Sequence, residues 1–231
     1  MNFPYVSKQI QCVTSFNELV STQFNGNVNA ICWTRELKGD FAEITKKVQL
    51  KENITVVSCN ELIELKLTEQ GNLAREILLN DYKLLKDYGA SPTINLIKCY
   101  EKDDANSIFS TDVYSFHVDS SPVPTATFLC TYYGEPSDIL PNSEAIQKVL
   151  IPEIRDELKK NYRGADEDFE LYLRENFFDL HYQPIHNAQP ISLGNCHLWK
   201  ISVDCPESKV LPCVHRAPKE KNGQNRLLLI C

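Results

Sequence analysis

The chain has 231 residues, 42% hydrophobic and 10% aromatic, enough apolar mass for one sizeable core, which excludes a disordered polymer. Its formal net charge is −7 and no Lys/Arg-rich stripe appears, which argues against nucleic acid as the main partner. No apolar run approaches a membrane span, the opening MNFPYVSKQIQC lacks the layout of a signal peptide, and nine cysteines cannot all pair internally. The expectation is a cytoplasmic protein without a membrane segment, its thiols free and acting as small buried hydrophobes.

Along the chain, NVNAICWTREL begins as a strand ending near Trp33 or Arg35, and a helix follows to about Val48. VVSC, residues 56 to 59, reads as a short strand or turn. GNLAREILLNDYKLLKDYGA is the clearest amphipathic helix, with Leu73, Ile77, Leu84 and Tyr88 at helical spacing and Gly89 as a stop. TINLIKCY is a strand and KDDANS a turn-rich break. IFSTDVYSFHVD then reads as one long strand, with Val113, Ser115, His117 and Asp119 on one face. Pro122 and Pro124 interrupt before PTATFLCTYYG, whose β-branched and aromatic content is that of a strand.

The period turns helical from Ser143 to Tyr162 and from Asp166 to Phe178. Ser143 is an expected N-cap, Ile146, Val149, Leu150, Ile154 and Leu158 form a stripe, and Pro152 marks a kink or break. Strands resume at CHLWKISV, LPCVHRAP and NRLLLIC, with Asn222-Gly223 as a hairpin turn. The expected class is α+β in a single domain over 1–231. A helix-rich region (about 1–92) precedes barrel strands at about 93–133 and 191–231, with a helical insertion at about 142–180. Strands on both sides of an insertion fit a jelly-roll, cupin-like core, a double-stranded β-helix.

Four residues carry chemistry: His117 and Asp119 in YSFHVD, and His215 and Arg226 in VHRAPKEKNGQNRLLLIC. Residues two apart on a strand share a face, so His117 and Asp119 can grip one ion, and His215 from another strand completes a two-His-one-carboxylate triad. Such a triad leaves open positions on iron(II). Arg226, a planar fork, suits the carboxylate of a keto acid. Taken singly, each is as readily a core histidine, a turn aspartate or a surface arginine; the conjunction is what points to a site. Cys196, His197, Cys205, Cys213 and His215 form a rival zinc set, but no C-x2-C knuckle is present.

NAICWTREL, FHVD followed by LCTYYG, and HRAP followed by RLLLIC resemble the bacterial family catalogued as domain of unknown function 1826. More broadly, the triad and arginine are similar to those of the iron(II)/2-oxoglutarate oxygenases, whose fold is a double-stranded β-helix. The resemblance implies His117, Asp119 and His215 as Fe(II) ligands and Arg226 as the partner of the distal carboxylate of 2-oxoglutarate. Leu228 stands where many oxygenases carry Ser or Thr, and Glu135-Pro136-Ser137-Asp138 replaces the Gly-x-Gly-Thr run of the closer family.

Tyr114, Thr131, Tyr133 and Arg216 are candidates for hydrogen bonds around ligands or cosubstrate. The leading expectation is a hydroxylase-type oxygenase acting on an unidentified small molecule or protein. The alternatives are a cupin-like metalloenzyme that does not use 2-oxoglutarate, with Arg226 holding an acidic substrate, and a non-catalytic metal- or ligand-binding barrel with a protein partner.

Overall fold

A computed structural model describes residues 7–102, 108–219, 221 and 223–231. The N-terminal region supplies β1 (Ile10–Val13), α1 (Phe16–Ser21), β2 (Ala30–Trp33), α2 (Phe41–Lys47), β3 (Ile54–Val56), α3 (Cys59–Glu64) and α4 (Glu69–Tyr88). There follow β4 (Thr93–Ile97), β5 (Phe116–His117), β6 (Ala126–Tyr133), β7 (Asp138–Ile139) and β8 (Ala145–Gln147). The remainder holds α5 (Pro152–Asn161), α6 (Phe169–Glu175), β9 (His181–Pro184), β10 (Ile191–Ser192), β11 (Leu198–Ser202), β12 (His215–Arg216) and β13 (Arg226–Ile230).

The architecture is mixed α+β, with a seven-stranded sheet ordered β1-β2-β11-β6-β13-β4-β3 and a six-stranded one ordered β10-β7-β12-β5-β9-β8. The pairings are antiparallel apart from β1 with β2. No helix among the described residues is long and apolar enough to cross a membrane.

The middle of the large sheet is buried on both faces, which explains why LLLI of β13 is an unbroken apolar run rather than an alternating one. Leu227 and Leu229 pack with Leu19, Ile44, Leu62 and Leu78 of the helical layer. Leu228 points the other way, with Ile97, Leu129, Trp199 and Ile201, toward Ile139 of the small sheet and Cys213 just before β12. The triad lies on this second, inter-sheet face.

α4 is capped as its sequence dictates. The Thr68 side chain accepts from the Gly71 N–H, and Gly89 closes the helix at φ 99°, a left-handed conformation that glycine adopts without strain. Its buried face is Gly71, Ala74, Leu78, Asp81 and Leu85, so Leu73, Ile77 and Leu84 flank the core and Tyr88 is exposed. Asp81 hides the stripe in the sequence. It is tolerated there because Arg35 donates to both its oxygens at 2.7 Å and the Tyr132 hydroxyl donates at 2.5 Å.

Several expectations need correction. The segment before His117 is no long strand: the Asp112 carboxylate accepts from Tyr114 N–H at 3.0 Å and its carbonyl from Ser115 N–H at 3.1 Å. This turn delays the strand to Phe116. KDDANS falls mostly at 103–107, and the Asn222 of the expected hairpin turn also lies outside the described residues.

Ser143 caps no α-helix; residues 142–150 form 3-10 turns around β8. Pro152 starts α5 as its N1 residue instead of kinking a longer helix, a first-turn position whose N–H has no intrahelical partner to lose. Ile146 and Leu150 are consequently exposed. The region from 56 to 59 ends β3, and Ser58 then caps α3 in a reciprocal box with Glu61. β1, α1, α3, β7, β8 and β9 have no counterpart among the expected elements.

Candidate metal centre

β12 lies between β7 and β5, and β5 between β12 and β9. In this register His215 is opposite His117, and His117 opposite His181. Cross-strand partners share a face, so the three histidines form a row directed at the large sheet. His117 and His215 ring centroids are 4.6 Å apart, and His117 and His181 5.7 Å. Asp119, two residues past His117, reaches the same space, with its Oδ1 3.7 Å from His215 Nε2. One ligand atom from each of His117, Asp119 and His215 lies within 4.8 Å of the others, and no other such group occurs among the described residues.

The protons are set for ligation. His117 Nδ1 is 2.8 Å from the Ser115 carbonyl and His215 Nδ1 3.1 Å from the Cys213 carbonyl. A carbonyl only accepts, so each Nδ1 carries a hydrogen and Nε2 is the ring nitrogen left to face the site. Burial, reinforced by the neighbouring His215, pulls the His117 pKa down to about 4, which keeps that imidazole neutral. Burial pushes the Asp119 carboxyl up, but His215, the Thr127 hydroxyl and His117 together hold it below its ordinary value. Thr127 donates to Asp119 Oδ2 and orients it from β6 of the facing sheet. Two imidazoles and one carboxylate are a donor set that fits a divalent transition metal.

Arg226 opens β13 on the same inter-sheet side and is 6% exposed. Its Nη2 donates to Thr131 Oγ1 at 2.8 Å and Ser137 Oγ at 2.9 Å, and its Nη1 to the Tyr100 hydroxyl at 3.1 Å. Among the described residues none of the ion pairs involves it, and burial lowers its pKa although Tyr100 opposes this. A buried guanidinium held by three neutral hydroxyls is an uncompensated charge, and an anion seated against it relieves that cost. Leu228, in place of an expected Ser or Thr, belongs to the apolar inter-sheet core, and Ser137 and Tyr100 supply the hydroxyls instead. Gly134 permits this approach: at φ +90°, a Cβ there would stand 2.9 Å from Arg226 Cα.

The other expected residues divide. Thr131 touches Arg226. Tyr114 acts one step away, its hydroxyl accepting from Tyr100 N–H at 2.9 Å. Tyr133 packs with the helical layer, because a register shift pairs Leu227 with Tyr133 but Leu228 with Thr131 and so reverses the alternation. Arg216 faces outward, bonded to Asp138 at 2.9 Å and lying over the Phe116 ring, where it ties β12 to β7 and β5.

The rival zinc set does not assemble. Cys213 is in the core, and His197 Nδ1 accepts from Arg35 N–H at 3.1 Å. The nine cysteines are free thiols.

The sequence reading missed Tyr100, Thr127, Ser137 and His181. Thr127 and Thr131 share parity in PTATFLCTYYG, which was a usable signal; the other three are brought in from separate segments by the fold. Comparison with protein-family models, with curated proteins and with solved structures finds no match to this chain.

Proposed function

We propose that this protein is an iron(II)- and 2-oxoglutarate-dependent oxygenase of the hydroxylase type, built on a jelly-roll core. The observation that carries the proposal is the pairing of a convergent His117–Asp119–His215 triad with a buried arginine on the same inter-sheet side that lacks a carboxylate partner among the described residues. The strand order supports the fold reading. The large sheet contains the run β4-β13-β6-β11 and the small sheet the run β5-β12-β7-β10. Counted along the chain as eight strands, these are first, eighth, third, sixth and second, seventh, fourth, fifth, the order of two interlocked Greek keys.

In this reading His117 Nε2, His215 Nε2 and Asp119 hold the metal, and the carbonyls of Ser115 and Cys213 with the Thr127 hydroxyl fix their orientation. Arg226 grips the distal carboxylate of 2-oxoglutarate, with Thr131, Ser137 and Tyr100 aligning its fork. When bound, iron(II) and 2-oxoglutarate supply the oxygen-activating chemistry. The chain contributes position, charge and the apolar wall of Leu129, Trp199 and Leu228 that limits access of water.

Calorimetric titration under nitrogen tests the proposal, with manganese(II) first and 2-oxoglutarate second. Saturable binding of metal, then of the keto acid only with metal present, is the expected result. Metal binding without keto-acid binding removes the oxygenase assignment and leaves a cupin-like metalloprotein.

A further inference from the structure

A cleft of about 830 Å³ lies where the residues after β4, the turn before β5 and the β12–β13 connection meet. That volume is of the size that takes a small molecule, roughly 300–1,000 Å³. In a chain of net charge −7, its described lining carries Lys98, Lys102, Lys148, Lys219 and Lys221 against one carboxylate, Asp112.

Lys148 is the distinctive member. It comes from the insertion between β7 and β10 and sits half-buried, with its Nζ donating to Ser115 Oγ at 2.8 Å and to the Ser110 carbonyl at 3.4 Å, 4.5 Å from the Phe109 ring centre. No ion pair among the described residues satisfies it. Among the described residues Lys221 alone of the five ammonium groups is paired, with Glu135 at 2.6 Å.

The cleft also adjoins the candidate centre. Ser115, whose hydroxyl receives Lys148, offers its carbonyl to His117 Nδ1, and Lys221 and Gln224 line both this cleft and the small pocket at Arg226. Low-dielectric walls around like charges focus the field on whatever enters.

We propose that this cleft binds a small, multiply charged anion, bearing phosphate or several carboxylates, as the substrate of the adjoining site. That the anion is the substrate rests on the oxygenase reading; the anion site does not.

The test is calorimetry on the full, EDTA-treated chain at fixed ionic strength, with pyrophosphate and with citrate. At least one saturates the wild type, and its affinity falls about tenfold or more in Lys148→Met and in the exposed double variant Lys98→Glu/Lys219→Glu. The double variant keeps the test decisive should the half-buried position disturb folding. His215→Ala and Arg226→Lys retain the anion. Pyrophosphate alone binding identifies a phosphorylated ligand, and citrate alone a polycarboxylate.

The proposal is overturned if neither anion binds more tightly than chloride, or if Arg226→Lys loses the anion while the lysine variants keep it. Manganese titration of the same wild-type preparation separates the two readings. Anion binding without metal binding removes the oxygenase and keeps the cleft; metal and 2-oxoglutarate binding without anion binding removes the cleft alone.

Discussion

His117 and His215 stand on neighbouring strands with ring centroids 4.6 Å apart, and each gives its Nδ1 proton to the carbonyl two residues before it. Both rings thus turn Nδ1 to the backbone and leave Nε2 to the space beside Asp119.

The pH dependence of metal-free stability follows from His117. Its pKa is down to about 4 in the folded chain against an ordinary 6.5, through burial first and His215 second. Between those values the unfolded chain binds a proton that the folded chain refuses, so stability falls as pH drops from 6.5 to about 4. Urea midpoints measured across that window should decline, and His117→Gln, which does not titrate there, should flatten the decline. A profile equally steep in the variant would locate the effect elsewhere.

Thr127→Val keeps the shape of the side chain and removes the hydroxyl that holds Asp119 Oδ2. Loss of such outer support costs about 10–100-fold in metal affinity. Manganese titration should show a drop of that order, with the far-ultraviolet circular dichroism unchanged. An unaltered dissociation constant would mean that Asp119 is oriented by its backbone alone.

Arg226→Lys preserves charge but loses the planar fork that spans Thr131, Ser137 and Tyr100. Hydrogen bonds to charged groups contribute about 1.5–3 kcal/mol, so 2-oxoglutarate should bind about 10–100-fold more weakly while manganese affinity holds. Equal weakening of both ligands would show that the variant had disturbed the whole core.

Away from the site, Asp81→Ala should cause one of the larger stability losses in the chain. The Arg35 and Asp81 side chains are 6% and 2% exposed, and the carboxylate also takes the Tyr132 hydroxyl. Removing one partner of a buried pair strands the other charge, at about 3–5 kcal/mol. Urea denaturation should read this as a lower midpoint with an unchanged slope. A loss under about 1 kcal/mol would show that water reaches Arg35.

The amino-acid sequence by itself determined the elements whose signals are local. α4 is written in its apolar periodicity and in its stop at Gly89; the strands TINLI, ATFLCTYY and RLLLI are written in runs rich in β-branched, aromatic and leucine residues. The pair His117 and Asp119 was legible because a separation of two is short enough for one piece of extended chain to fix their common face. Only the tertiary structure decided what depends on register and on distant segments. The bulge between Leu227 and Leu228 turned Tyr133 away from Arg226 and left Thr131 facing it. Tyr100 and Ser137 meet Arg226 across separations that no periodicity encodes. Asp81 broke an apolar stripe whose true partner, Arg35, lies on a different element. Local propensity carries no information about which strand becomes a neighbour, and long-range pairing, set by burial on both faces of the large sheet, is what brings these side chains together.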